Sequence, residues 1–209
     1  MIKANFIWDL PDIKSENSAW KAVGLVVNDW RFSSIWTGVT GNPYTVAYSY
    51  QNGGGSVNIT SSPDYAGRVR IVGDPGSGCS GNPYQQFNPS AFQGPLYNSL
   101  GLESGNGYLR ECFMSTLDVS IARTIRMGGA KNLQLRVDIF NAPNSAIITD
   151  RASTINLPNP NDPVTITNLP YDANGNVLSN RSLPRNAGAG VANEYQRERG
   201  VQLQVRFSF

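Results

Sequence analysis

The sequence predicts an all-β fold of antiparallel strands joined by long polar loops. Three observations carry this. In the closing stretch Gly200 to Phe209, residues Val201, Leu203, Val205, Phe207 and Phe209 fall on one face, and Gln202, Gln204, Arg206 and Ser208 on the other. Such alternation marks a strand with one apolar and one polar side. The same alternation recurs in several segments upstream. Composition agrees: of 209 residues, 21 are Gly and 13 Pro, and only 15% are charged. Chains of that kind favour strands separated by turns, and no stretch reads as a long Leu/Glu/Lys/Ala helix.

The first strand expected is Ile2 to Trp8. Ala4, Phe6 and Trp8 share one face, Lys3, Asn5 and Ile7 the other, and Asp9-Leu10-Pro11-Asp12 ends it. Residues 10–29 form a connector with an apolar patch at Val23 to Val27. One helical turn and a short extra strand both fit that patch. Trp30 to Val39 is the second strand, with Trp30, Phe32, Ser34, Trp36 and Gly38 on one side. Tyr44 to Tyr50 extends it beyond Asn42-Pro43.

From Gln51 to about Cys112 the chain reads as a loop. It is punctuated by Gly53-Gly54-Gly55, Asp74-Pro75-Gly76 and Gly81-Asn82-Pro83, with short strands at Val57 to Thr60 and Arg68 to Val72. A loop of about sixty residues is expected to carry function or structure of its own. Phe113 to Ile125 is the third strand, with Leu117, Val119 and Ile121 opposed to Asp118, Ser120 and Ala122. A short connector at 126–131 leads to Asn132 to Asn141, where Leu133, Leu135, Val137 and Ile139 share a face. A second long loop, about 142–199, precedes the terminal strand. The whole, 1–209, reads as a single β domain.

Several classes of function drop out. Formal net charge is +2 with no basic run, so nucleic acid is not an expected partner. There is no histidine, which removes Ser-His-Asp and Cys-His catalysis and every His-ligated zinc site. No other catalytic constellation stands out; the chain is not expected to be an enzyme, and no cofactor or metal is implied. Asp172-Ala-Asn174-Gly175-Asn176 resembles part of a calcium loop, but lacks the downstream glutamate and reads better as an Asn-Gly turn. Cys79 and Cys112 are expected to pair in an oxidising compartment. That bond would stabilise the fold by about 3–4 kcal/mol in the chain-entropy model.

No apolar run approaches the roughly 18 residues of a membrane helix. Strands can also cross. The terminal strand has about the length a tilted strand needs to span a bilayer. Trp30 and Trp36 sit roughly 20 Å apart along a strand, near the height of the apolar band between the aromatic girdles of a membrane barrel. Connections alternate short and long, as in barrels with short periplasmic turns and long external loops; the 10–29 connector is the exception. The fold expected is therefore part of an outer-membrane β-barrel. Trp8, Trp30 and Trp36 would be interface aromatics against outer-membrane lipid. Asp118, Arg136, Asp138, Gln204 and Arg206 would face the lumen, touching a solute or simply forming a cross-strand charge ladder. The nine tyrosines lie mostly in the external segments, where they would make a binding surface or pack the loops.

The alternative is a β-sandwich that buries the same faces against a second sheet or a neighbouring copy. It would be a self-assembling, homo-oligomeric surface or fibre subunit without transport activity. Met1-Ile-Lys-Ala-Asn-Phe does not resemble a secretory leader, so an outer-membrane chain would be a fragment or have its true start elsewhere.

Two resemblances sharpen the barrel reading. The terminal alternation closing on Phe209 resembles the C-terminal β-signal of bacterial outer-membrane barrels. This implies that the barrel-assembly machinery reads Val201, Leu203, Val205, Phe207 and Phe209. An ordered series of phrases resembles the C-terminal part of Oar-like TonB-dependent receptors. It runs from Trp-Arg-Phe-Ser-Ser-Ile-Trp-Thr-Gly-Val-Thr-Gly-Asn-Pro-Tyr-Thr-Val at 30–46 and Val-Gly-Asp-Pro at 72–75 to Phe-Asn-Pro-Ser-Ala-Phe at 87–92. It continues through Gly-Tyr-Leu-Arg at 107–110, Leu-Asp-Val-Ser-Ile-Ala-Arg at 117–123 and Asn-Leu-Gln-Leu-Arg-Val-Asp-Ile-Phe-Asn-Ala-Pro-Asn at 132–144 to the terminal strand. Those receptors carry a carboxypeptidase-regulatory-like domain, a plug and a large barrel. The resemblance implies solute binding and uptake, with the plug and TonB as partners supplied by sequence outside this chain.

Overall fold

A computed structural model describes residues 1–209 except 53–54, 57–58, 60–66, 97–98, 100–103 and 197. The strand expected at Val57 to Thr60 and the tyrosines Tyr65 and Tyr97 lie wholly or largely outside the described residues. The chain divides into two compact units. The first comprises Met1–Val39, Phe113–Ala146 and Arg197–Phe209; the second comprises Thr40–Cys112 and Ile147–Gln196.

The first unit is a five-stranded antiparallel sheet. Its strands are β1 (Ile2–Asp9), β2 (Trp30–Val39), β3 (Met114–Arg126), β4 (Asn132–Phe140) and β5 (Gly200–Ser208), and they lie side by side in chain order. Each stands within a residue or two of its expected bounds, because unbroken alternation leaves little freedom in where a strand runs. The register carries one face across the whole sheet: Trp8 pairs with Phe32, Phe32 with Ile121, Ile121 with Val137, and Val137 with Leu203. The other face is polar, with Ser33 opposite Ser120, Ser120 opposite Asp138, and Asp138 opposite Gln202.

β3 and β4 are joined by a tight turn. Met127 N–H donates to the Lys131 carbonyl at 3.0 Å, and Gly128 and Gly129 take φ of 93° and 61°. A side chain would be strained at either position, which accounts for the Gly-Gly pair. The 10–29 connector holds a ten-residue helix, α1 (Ser18–Val27), where the sequence was compatible with one helical turn or an extra strand. The Asn17 side chain caps it, accepting from Ala19 N–H at 3.0 Å.

The stretches that read as long loops make up most of the second unit, and they have a core of their own. Tyr44 to Tyr50 belongs here too and does not extend β2, because it pairs with strands of this unit and not with the five-stranded sheet. Ala47–Asn52 pairs in parallel with Thr154–Leu157, so a strand from each long excursion meets the other. Pro43–Tyr44 pairs with Leu109–Arg110, Arg70–Ile71 with Phe92–Gln93, and Ile148–Arg151 with Ala192–Tyr195. Tyr50, Val69, Phe92, Leu109, Ile155 and Leu157 are fully buried. Each large side chain so buried contributes roughly 1.5–3 kcal/mol. A parallel pair between distant segments leaves no local sequence signal, which is why this unit read as loop.

Candidate functional site

On the first unit the apolar face is uncovered. Val201, Leu203, Val205, Phe207 and Phe209 of the terminal stretch are 51–91% exposed. In a chain held together by one apolar core this would be unfavourable; a face this large needs an apolar cover. Trp8, Trp30 and Trp36 lie on the same face, with Trp8 and Trp30 at one end and Trp36 at the other. The Trp36 indole N–H donates to Ser115 Oγ at 2.9 Å. Gly38 lies flat beneath: a Cβ there would stand 2.7 Å from Trp36 Cη2 and 2.8 Å from Phe113 Cζ. The aromatic rim thus rests on a position that only glycine leaves open.

The polar face gathers Asp118, Arg136, Asp138, Gln204 and Arg206, as the alternation required. Their contacts differ from a cross-strand charge ladder. Arg136 Nε meets Asp138 Oδ1 at 2.9 Å, two residues along the same strand. Arg136 stands directly opposite Gln204, and Arg206 opposite Gln134. Asp118 serves the backbone instead: its Oδ1 accepts from Asn141 N–H at 2.9 Å where the chain turns out of β4. Among the described residues Arg206 forms no ion pair.

A second polar cluster, not anticipated from the sequence, closes the end of this face beside β1 and β2. Arg31 meets Asp9 at 2.6 Å and Arg126 meets Asp29 at 2.7 Å. Asp29 holds a φ of 63°, uncommon for a residue other than glycine. Its N–H donates to Asp12 Oδ1 at 3.1 Å, and its carbonyl accepts from Thr124 N–H at 3.1 Å. These residues surround a cavity of about 340 Å³ that Gln134 also lines. The acidic residues flanking Pro11 were the available signal; their pairing with Arg31 and Arg126 depends on strand register.

The second unit is fastened at two points. Cys79 and Cys112 are disulfide-bonded with Cα atoms 5.0 Å apart, closing a separation of 33 residues. Near them Arg151, 4% exposed, reaches Glu111 at 3.5 Å and lies 4.8 Å over the Tyr44 ring. Arg151 comes from one excursion, Glu111 and Tyr44 from the other, so the contact ties the two together. The Tyr44 hydroxyl donates to the Gly78 carbonyl at 2.7 Å. Burial pushes its pKa up to about 12 against the pull of Arg151, with Glu111 and Tyr108 adding to the rise. Burial likewise raises Tyr108, whose hydroxyl accepts from Val46 N–H at 3.0 Å.

The tyrosines divide. Tyr44, Tyr48, Tyr50 and Tyr108 pack in or against the core, whereas Tyr84 and Tyr195 are exposed. The 172–176 segment is a closed turn. Asp172 Oδ1 accepts from Asn174 and Asn176 N–H at 2.8 and 2.9 Å, and Oδ2 from the Asn176 amide at 3.1 Å. These bonds, led by the Asn176 N–H, hold the Asp172 carboxyl below its usual range. The carboxylate is thereby engaged in closing the Asn-Gly turn. Among the described residues, no group of three or more His, Cys, Asp or Glu could hold a metal ion. Among the described residues no helix is long and apolar enough to cross a membrane, which says nothing of strands.

A family model described as an outer membrane beta barrel domain matches residues 1–185. No curated protein and no solved structure matches the chain. A single-layer sheet with an uncovered apolar face, aromatics at both ends of it and a polar reverse is what a barrel wall requires, and the chain belongs to the outer membrane β-barrel domain family.

Proposed function

We propose that this chain forms a wall segment and an external capture unit of a TonB-dependent-receptor-like barrel that binds and takes up a solute. The observation that carries the reading is the direction of the two sheet edges. Five strands, each antiparallel to its neighbour, leave β1 and β5 running the same way. Single-chain barrels of the outer membrane are closed, antiparallel and even in strand number. An odd number of further strands therefore completes this wall, and a plug and TonB would act on the completed barrel.

The same geometry weighs against a homo-oligomeric ring. Copies related by rotation about the barrel axis would join β5 of one to β1 of the next in parallel. Copies turned end over end would pair antiparallel but send their long excursions to opposite sides of the membrane. Capture falls to the second unit, whose two excursions leave from the same end of the sheet and which displays Tyr84 and Tyr195. The polar face, with Arg136, Gln204 and Arg206, would line the path inward.

The test is the intact mass of native, unboiled material from the outer-membrane fraction, with cross-linking to TonB in intact cells. A species much larger than 22.7 kDa that cross-links to TonB is expected. A soluble species of 22.7 kDa without that cross-link would sink the transporter reading.

A further inference from the structure

The helix α1 buries little of itself. At about 3.6 residues per turn, Trp20, Val23 and Val27 fall on one side, and Ser18, Lys21, Ala22, Leu25 and Asn28 on the other. The second side lines an open groove of about 920 Å³ shared with Ile13, Arg123 and Ile125. The Asn28 side chain exchanges two hydrogen bonds with the Ile13 backbone, at 2.8 and 3.0 Å. Gly24, the one buried residue of the helix, lets Ile13 come close: a Cβ there would stand 3.2 Å from the Ile13 carbonyl oxygen. Its apolar side chains stay exposed: Trp20 54%, Val23 41%, Leu25 77%, Val26 63% and Val27 38%. An amphipathic helix on a water-soluble domain turns its apolar stripe inward; here the side that carries Trp20, Val23 and Val27 is left open.

What covers that side follows from where the helix is pinned. Arg123 is the one charged residue that the register places on the apolar face of β3, opposite Trp30 and Leu135. Its guanidinium donates to the carbonyls of Leu25 and Asn28 at the helix C-terminus and lies 5.6 Å over the Trp30 ring. The Trp30 indole N–H donates to the Val26 carbonyl at 2.8 Å. A cation at a helix C-terminus is favourable, and here it also satisfies a charge that lipid would not tolerate. The helix is thereby fixed on the apolar face, at the end where Trp8 and Trp30 stand. Its outward side is continuous with the face that the family's barrels turn to lipid.

We propose that α1 is a membrane-interface anchor, with Trp20, Val23 and Val27 seated at the boundary between head groups and acyl chains of a phospholipid leaflet. The proposal rests on the outer-membrane placement of the sheet, and, with the long excursions external, the leaflet is the periplasmic one. Tryptophan favours this depth, and an apolar helix side lying in the plane gains from burial there. The long 10–29 connector, out of place as a barrel turn, is then a membrane-surface element, and Trp20 joins Trp8 and Trp30 in one aromatic belt.

The experiment uses native outer-membrane fractions fused with vesicles containing a photoactivatable phospholipid. After irradiation, adducts are mapped by digestion and mass spectrometry. Lipid adducts are expected on both the 18–27 segment and β5. In the Val23→Asp variant, whose substitution is on the surface, adducts on 18–27 should drop severalfold while β5 is labelled as before. Adducts on β5 with none on 18–27 would overturn the anchor and leave the sheet in lipid; protein cross-links on 18–27 in place of lipid would do the same. Absence of adducts from both would remove the membrane placement on which the anchor depends.

Discussion

Asp118 Oδ1 accepts the backbone N–H of Asn141 at 2.9 Å, joining the polar face of β3 to the point where the chain leaves β4. Asn141 has a φ of 50°, and its own amide exchanges hydrogen bonds with the Ser145 backbone at 3.2 Å. A carboxylate that the sequence marks as lumen-facing is thus engaged in holding the exit of a strand. Asp118→Ala should destabilise the sheet by about 1–3 kcal/mol, the loss of a charge-assisted bond to a partly buried donor. Asp118→Asn, which keeps an acceptor, should lose less. Denaturant midpoints in detergent check both; equal midpoints for all three proteins would mean that solvent satisfies Asn141.

The rim aromatics at the other end depend on Gly38. With Trp36 and Phe113 within 3 Å of a would-be Cβ, Gly38→Val must displace both rings. Overpacking of this kind typically costs about 1–3 kcal/mol. A shift in Trp36 emission, read with Trp8, Trp20 and Trp30 replaced by phenylalanine, together with a lower denaturant midpoint, is the expected outcome. An unchanged spectrum would place the rings elsewhere.

The Cys79–Cys112 bond lies within the second unit. Replacing both cysteines with serine should lower the stability of that unit by about 3–4 kcal/mol, as the closed loop length dictates. Limited proteolysis should then cut within 79–112 sooner, while the heat-modifiable migration of the sheet is unaltered. Loss of both together would show that the two units unfold as one.

Tyr44 makes the second unit sensitive to alkali. Its pKa stands near 12 in the folded chain against 10.0 for an ordinary tyrosine, chiefly through burial. The unfolded chain therefore releases this proton first. The stabilisation is fully present below about pH 10 and is lost as pH rises towards 12. Phenolate absorbance should show tyrosines titrating late, and Tyr44→Phe should remove the component near 12 while the raised Tyr108 remains. Titration of every tyrosine near 10 would contradict the burial seen here.

Strand alternation is a local property, and for this chain it was enough. Side chains at i and i+2 share a face whatever the surroundings, so β1 to β5, their faces and the placing of Asp118, Arg136, Asp138, Gln204 and Arg206 on one side were all legible along the chain. So was Asn-Gly at 174–175, because a turn needing positive φ announces itself by residue type. What tertiary structure decided was everything that depends on residues far apart. The parallel pairing of Ala47–Asn52 with Thr154–Leu157 drew an expected extension of β2 and an apparent loop into a cored unit, and buried Tyr50 where the sequence allowed an exposed tyrosine. Only strand register brings Arg123 beneath the end of α1, or Arg126 to Asp29. Periodicity states which side a residue takes; it does not state what stands opposite.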